Sequence, residues 1–154
     1  MVVHTVLFLT NGVITSNCGT NYDYKDGIYN NINNNDTFVR WSGQKKNNIT
    51  DNLVLEKENI HIWYRKTNNR YRYLGKVKKK IIFQRRDNQN ILIVDLFIEK
   101  ENLSLNIDIL ADTYNYKMEN GHKFQKYKMD CFRKLNLIPN GNWCSGIMEG
   151  TPIL

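Results

Sequence analysis

Two consecutive strand–turn–strand patterns between residues 60 and 99 constrain the fold of this chain more than any other feature. Ile60–Lys66 alternates, with its even-numbered residues predicted on one face of a strand and its odd-numbered residues on the other. A turn at Thr67–Arg70 follows, where asparagine tolerates a left-handed backbone, and Tyr71–Val77 returns. Lys80–Arg86, a second polar turn and Ile91–Glu99 repeat the arrangement. The near-continuous apolar run from residue 91 to 97 predicts a central strand.

The other predicted elements are short strands and one late helix. Val2–Thr10 predicts a buried strand and Thr37–Trp41 a short one, whereas the polar segment Asn11–Asn35 predicts a long surface loop. Alternation from Leu103 to Ile109 predicts a further strand. His122–Asn136 carries an apolar stripe at helical spacing, which predicts a helix packed on the sheet. The last sixteen residues, rich in glycine and proline, predict an irregular tail.

These elements predict a mostly β protein, with a small β-barrel or strongly curved sheet and a C-terminal helix, and α+β overall. A length of 154 residues and a hydrophobic content of 41% favour one folded domain. We assign residues 1–112 to the barrel, and residues 113–154 to a helix and tail packed on the same domain.

Positive charge is concentrated in the predicted hairpins. Ten of the 22 Lys and Arg residues lie in Asn59–Arg86, which contains no acidic residue. Aromatic residues are interleaved with these charges, namely Trp63, Tyr64, Tyr71, Tyr73 and Phe83. Cationic side chains neutralise phosphates and aromatic rings stack on bases, so the pattern predicts a nucleic-acid surface. A solvated lysine-rich edge that resists aggregation is the structural alternative.

Cysteine and histidine usage bears on compartment and metal binding. Cys18, Cys131 and Cys144 are far apart, which argues against a disulfide framework and a zinc site and favours a reduced compartment. No histidine has metal-ligand spacing, and His61 is interpreted as a surface or sheet-packing residue. With no signal-peptide pattern, we expect no membrane and an intracellular location, cytoplasmic or nuclear. Abundant asparagine indicates an AT-rich genome; a viral chain would act in a viral factory or virion.

The sequence predicts no catalytic residue, no metal site and no cofactor. A nuclease would need metal-binding carboxylates with a lysine, and Asp95, Glu99 and Lys100 lack the acidic-x-Lys spacing. A thiol enzyme built on Cys144 and His122 lacks an identifiable orienting group. Asp95 lies within an apolar strand, so we expect it on the outer face or with a structural partner. We expect no enzymatic activity; a small nuclease and a protein–protein adaptor remain alternatives.

Several short motifs occur in a characteristic order. They are Asp26-Gly27, the segment Phe38–Gln44, Asn52-Leu53, Ile60–Arg65 and Tyr71–Val77. On these motifs, the chain resembles the SRA-like domains of the PUA-like β-barrel superfamily, in particular those fused to HNH restriction endonucleases and to restriction-type helicases. The resemblance covers about residues 6–99, and the predicted helix and tail lie outside it.

This resemblance implies a curved barrel that binds nucleic acid and extrudes a modified base into a pocket. By this similarity, Asp26 would accept a hydrogen bond from a base amino group and Trp41 would stack on the base. Ser42, Gly43 and Gln44 would form a turn whose backbone approaches the nucleic acid closely.

The charge pattern and the resemblance together predict a nucleic-acid reader that recognises a modified or flipped base. DNA is expected more than RNA, and a nuclease or helicase is an expected partner protein. The side chains predicted to contact the nucleic-acid backbone are Arg40, Lys45, Lys46, Arg65, Lys66, Arg70, Arg72, Lys78, Lys79 and Lys80.

Overall fold

The described part of the protein is mostly β, with a short helix near the C-terminus. The computed structural model describes residues 2–10, 13–14, 27–31, 36–42, 56–65, 70–84, 92–99, 108–112, 114–117, 123–144 and 146–153. The strands are β1 (His4–Thr10), β2 (Val13–Ile14), β3 (Gly27–Asn31), β4 (Asp36–Ser42), β5 (Ile60–Arg65), β6 (Arg70–Gln84), β7 (Leu92–Ile98), β8 (Asp108–Leu110), β9 (Asn115–Lys117), β10 (Lys123–Gln125), β11 (Leu137–Cys144) and β12 (Ile147–Pro152). Helix α1 is Lys126–Lys134. The predicted α+β class is confirmed.

One large sheet contains most of the strands. Its order is β11-β12-β1-β5-β6-β7-β4-β3, with β2 added to β1 and β8 added to β6, while β9 and β10 pair separately. The pair β1–β5 is parallel, whereas its neighbours in the sheet are antiparallel. Over the described strands, the hydrogen-bonded path from β11 to β3 does not rejoin itself. The sheet is therefore open, and the predicted closed barrel is wrong.

The sheet has a hydrophobic core on each face. The inner core consists of Leu7, Leu9, Val39, Trp41, Ile60, Ile62, Val94, Leu96, Ile98 and Ile147. The helix-side core consists of Val6, Phe8, Trp63, Tyr71, Tyr73, Ile109, Tyr127, Cys131, Phe132, Leu137 and Met148. Because the inner core joins β1 to β4, which are several strands apart in the sheet, the sheet must curl around it. The expectation of a curved sheet is met by this open, curled form.

Strand β1 is buried on both faces, as the sequence predicts. Val6 and Phe8 enter the helix-side core, and Leu7 and Leu9 enter the inner core. The predicted two-face alternation of β5 is also confirmed. Burying both faces of a strand explains why such segments read as continuous apolar runs.

Helix α1 begins at Lys126, four residues after the predicted start. The residues before it, Lys123–Gln125, form β10 and pair with β9. The predicted apolar stripe is confirmed at Tyr127, Cys131 and Phe132, which are buried. No helix in the described ranges is long and apolar enough to cross a membrane.

One lysine of α1 is buried. Lys128 has only 2% of its surface exposed, and its Nζ lies 5.3 Å from the centre of the Phe8 ring. Burial lowers the pKa of Lys128 to about 8, because removal from water disfavours the ammonium form. Lys128 therefore packs against β1 through a contact between its ammonium group and the Phe8 ring.

The two predicted hairpins share one long strand. Strand β6 has 15 residues, and it pairs with β5 over its first half and with β7 over its second. Opposite β5, Ile62 pairs with Gly75 and Trp63 pairs with Tyr73, which leaves Leu74 as an extra residue. Gly75 has a φ of 137°, which glycine adopts far more readily than other residues. The Leu-Gly pair in this motif thus marks a β-bulge.

Two further predictions concern segments that are only partly described. Within the predicted loop Asn11–Asn35, β2 and β3 are strands, and β3 pairs with β4 along its whole length. The loop prediction is therefore wrong for these residues. Of the predicted strand Leu103–Ile109, residues 108 and 109 belong to β8, which pairs with β6, and the rest lies outside the described residues.

The prediction of an irregular C-terminal tail is wrong. Strands β11 and β12 form a hairpin, and β12 pairs with β1, so the hairpin extends the main sheet. Pro139 lies in β11, the last strand of the hydrogen-bonded path, where a missing backbone N–H is tolerated. Ile147 and Met148 are buried, one in each core, and this burial stabilises the hairpin.

Gly150 permits the close contact between this hairpin and α1. A Cβ atom at position 150 would lie 2.6 Å from Phe132 Cε1 and 2.9 Å from the Ile138 carbonyl oxygen. We expect Gly150→Ala to lower the free energy of unfolding by about 2 kcal/mol, because overpacking displaces the ring. Urea unfolding measures this loss. Combining Gly150→Ala with Phe132→Leu should lower the free energy of unfolding by less than the sum of the two single losses, because the smaller side chain leaves room for the new Cβ. If the two losses are strictly additive, the Phe132 ring is not the obstacle.

Candidate nucleic-acid interface

Four lysines line one open cleft, which lies between the segment preceding β5 and the middle of β6. The cleft has a volume of about 260 Å³. Its lining residues are Lys57, Glu58, Asn59, Ile60, Val77, Lys78, Lys79 and Lys80, and we call it the lysine cleft. Three of the residues predicted to contact a nucleic-acid backbone, at positions 78 to 80, therefore lie together at one site.

A β-bulge in β6 interrupts the regular side-chain alternation at these consecutive lysines. The pairing with β7 shifts between Val77 and Lys79, which leaves Lys78 as the extra residue. Lys79 lies opposite Phe97, and its Nζ is 4.6 Å from the centre of that ring. Bulges commonly re-aim side chains in this way, so consecutive cations next to a bulge can line the same cleft.

Lys80 fixes one wall of the cleft to the other. Its Nζ donates a hydrogen bond to the Lys57 carbonyl oxygen. Partial burial lowers the pKa of Lys80, and the nearby carboxylate of Glu58 opposes that shift. On the far side, Thr5 N–H donates to the Asn59 carbonyl oxygen at 3.0 Å. The segment from residue 57 to 59 is thus tied to both β6 and β1.

A ladder of rings extends from the cleft to Arg40 on β4. Phe97 contacts Phe38, with ring centres 5.0 Å apart, and the Arg40 Cζ lies 5.7 Å from the centre of the Phe38 ring. Arg40 also donates two hydrogen bonds to Asp95, from Nε at 2.8 Å and from Nη2 at 3.0 Å. Asp95 therefore has the structural partner that was predicted for it. Arg40 and Lys79, distant in sequence, share one face of the sheet.

The remaining predicted cations do not gather at the cleft. Arg65 lies on the helix side, with its Cζ 5.1 Å from the centre of the Tyr71 ring. Arg72 forms an exposed ion pair with Asp108 at 3.0 Å, and Arg70 is exposed near the start of β6. The predicted contacts Lys45, Lys46 and Lys66 lie outside the described residues.

The aromatic residues interleaved with the charges are mostly core residues. Trp63, Tyr71 and Tyr73 are at most 3% exposed and belong to the helix-side core. A ring that is buried offers no face to a base. The alternation that places cations on the surface places these rings inside, which accounts for the interleaving by strand periodicity.

The predicted base pocket is only partly described. Trp41 is 3% exposed and packs in the inner core, so stacking on a base would require the core to open. Ser42 ends β4, where its backbone pairs with Ile93. Asp26, Gly43 and Gln44 lie outside the described residues. Recognition of a flipped base therefore stays a prediction.

Sequence reasoning missed the second wall of the cleft. Lys57 and Glu58 precede β5 and belong to no predicted element. Lys57 Nζ lies 3.4 Å from the Glu149 carboxylate on β12. The contact between Lys57 and Glu149 depends on the position of β12 in the sheet, and the sequence carries no local signal for that position.

The structure also joins two histidines that are far apart in sequence. His4 Nδ1 and His61 Nε2 share a hydrogen bond of 2.8 Å, and His61 Nδ1 is 2.9 Å from the Tyr73 hydroxyl. His61 is 8% exposed, in agreement with its interpretation as a sheet-packing residue. Burial, with the charges of His4 and Lys76, lowers the pKa of His61 to about 3. His61 is therefore neutral at neutral pH.

Across the described ranges, no group of three or more His, Cys, Asp or Glu side chains could hold a metal ion. Protein-family models, curated proteins and solved structures show no match to this chain.

Proposed function

We propose that this protein binds nucleic acid, and that the lysine cleft contacts the phosphate backbone. The observation that carries the proposal is that Lys57, Lys78, Lys79 and Lys80 all line one open cleft. Clustered lysines release the counterions condensed on nucleic acid when they neutralise phosphates. The net charge of +7 supports association with a polyanion.

The dimensions of the cleft favour a backbone contact over a small-molecule site. Its volume of about 260 Å³ lies below the roughly 300–1,000 Å³ of typical ligand pockets. A phosphate is a small anion, and lysine is a flexible cation suited to it. DNA stays the expected ligand over RNA, and recognition of a modified base stays the finer form of this proposal.

The test is a binding titration of the full chain against fluorescent duplex DNA, duplex RNA and single strands over a range of salt concentrations. We expect the double variant Lys78→Gln/Lys79→Gln to bind about tenfold more weakly at low salt. The slope of log affinity against log salt should fall by about 1.8 for duplex DNA, because each lost phosphate contact removes about 0.9.

A matched control separates the cleft from the overall charge. Lys117→Gln/Lys134→Gln removes two exposed lysines from β9 and α1, so both double variants carry a net charge of +5 instead of +7. We expect the control to bind within about twofold of the unmodified protein, as screening limits distant charges. Equal weakening of both variants would contradict a specific role for the cleft. If the unmodified protein binds poly-glutamate as tightly as it binds nucleic acid, the result would instead support the adaptor alternative.

A further inference from the structure

One carboxylate lines the lysine cleft, and a second pairs with one of the cleft's lysines. Glu58 is one of its lining residues and is exposed. Glu149, on β12, is not a lining residue, but its Oε1 lies 3.4 Å from Nζ of the lining residue Lys57. A phosphate that enters the cleft must therefore share the lysines with two anions that belong to the protein.

These carboxylates are held near the lysines by the surrounding backbone. Lys80 Nζ binds the carbonyl oxygen of Lys57, the residue before Glu58, and Thr5 N–H binds that of Asn59, the residue after it. The side chain of Glu149 is 16% exposed, so its charge is less screened by water than that of an exposed residue. A carboxylate on a free chain end could move away from a phosphate, but the segment from residue 57 to 59 is anchored on both sides.

We infer that Glu58 and Glu149 act as internal anions that compete with nucleic acid for the lysines of the cleft. This inference rests on the function proposed above. Glu149 holds the ammonium group of Lys57 until a phosphate replaces it, whereas Glu58 repels the phosphate directly. The two residues weaken binding and make it reversible, so they set the salt range in which the protein binds.

The first test compares Glu58→Gln with Glu56→Gln. Both residues are exposed, and both changes raise the net charge from +7 to +8, but only Glu58 lines the cleft. At low salt we expect Glu58→Gln to bind duplex DNA about threefold to tenfold more tightly than the unmodified protein, and Glu56→Gln to change affinity less than about twofold. The advantage should shrink as salt is added, because screening removes the repulsion.

The second test uses Glu149→Gln, which removes the carboxylate beside Lys57 without removing a cation. We expect tighter binding and a slope of log affinity against log salt that is steeper by about 0.9, equal to one additional phosphate contact. An unfolding curve recorded in parallel shows whether the variant is folded under the binding conditions.

The outcomes separate the inference from the proposed function. If the unmodified protein binds and Glu58→Gln matches Glu56→Gln, the inference fails and the proposed function stands. If Glu58→Gln binds more weakly, Glu58 contacts the ligand itself, for example as an acceptor from a base amino group, and the inference also fails. If the unmodified protein binds no nucleic acid at low salt, the proposed function fails and the inference fails with it.

Discussion

The stability of this protein is expected to fall as the pH drops from about 6.5 towards 4.5, because His61 is buried in its neutral form. The pKa of His61 is lowered from 6.5 to about 3 in the folded protein, chiefly by burial. In the unfolded chain His61 takes up a proton near its ordinary pKa. The unfolded state then binds more protons than the folded state, so the free energy of unfolding decreases as the pH falls.

The expected loss is about 1.4 kcal/mol for each pH unit in this window, or about 3 kcal/mol by pH 4.5. A charged His61 would donate from both ring nitrogens, while His4 and Lys76 add repulsion. A neutral His61 donates from one nitrogen and accepts at the other, so it can serve both of its hydrogen bonds. The pKa of His4 is also lowered by burial, which acts in the same direction.

His61→Gln tests this origin of the pH dependence. Glutamine can donate and accept hydrogen bonds, but it does not titrate. Urea unfolding at several pH values should show a flatter profile for His61→Gln between pH 6.5 and 5, by about 1.4 kcal/mol per pH unit. Tyr73→Phe is the matched control, since it removes a hydrogen-bond partner and keeps the titrating group. A full slope in His61→Gln would show that another residue is responsible.

The positions of β1, β4, β5, β6 and β7 could be predicted from the sequence, because strand periodicity is a local property. The alternation in β5 and the apolar run in β7 each reflect burial on particular faces. The helix was found for the same reason, since Tyr127, Cys131 and Phe132 recur at helical spacing.

The pairing of strands could not be predicted in the same way. The parallel pairing of β1 with β5 brings His4 next to His61, and pairing between β1 and β12 brings Glu149 to Lys57. These contacts join residues far apart in sequence, and no local pattern encodes them. The sequence does not predict the C-terminal hairpin because Pro139 and Gly141 are typical of a loop, whereas the end of a sheet accommodates both.

The candidate site was partly predictable. The sequence predicts the cations at positions 78 to 80 from charge alone, but it reveals neither the bulge at Lys78 nor the cleft that all three line. The charge pattern predicts the interleaved aromatic residues to be stacking surfaces, but strand alternation places Trp63, Tyr71 and Tyr73 in the helix-side core. In a strand buried on one face, aromatic residues between cations are the normal consequence of packing.

Removing Arg40 is expected to lower the free energy of unfolding by about 3 kcal/mol, because it leaves Asp95 as an unpaired, nearly buried carboxylate. The two residues lie directly opposite each other on β4 and β7 and form two hydrogen bonds. The side chain of Asp95 is 9% exposed, whereas that of Arg40 is 36% exposed. Arg40→Leu should therefore destabilise more than Asp95→Leu, whose remaining arginine can reach water.

The double variant Arg40→Leu/Asp95→Leu is the matched control. It removes one positive and one negative charge, so the net charge stays at +7. Replacing a buried ion pair with apolar residues is often neutral or stabilising, so we expect the double variant to recover most of the loss. Urea unfolding of the two single variants and the double variant measures this coupling. If Arg40→Leu and the double variant lower the free energy of unfolding equally, the unpaired Asp95 carboxylate is not the cause of the loss.

The same double variant tests the prediction that Arg40 contacts the nucleic-acid backbone. Because net charge is unchanged, a change in affinity reports on Arg40 itself and not on long-range attraction. Asp95 already neutralises this guanidinium, so we expect affinity within about twofold of the unmodified protein. The lysine cleft would then account for the phosphate contacts on this face. A clear loss of affinity with a shallower salt slope would instead extend the interface along the Phe97–Phe38 ladder to Arg40.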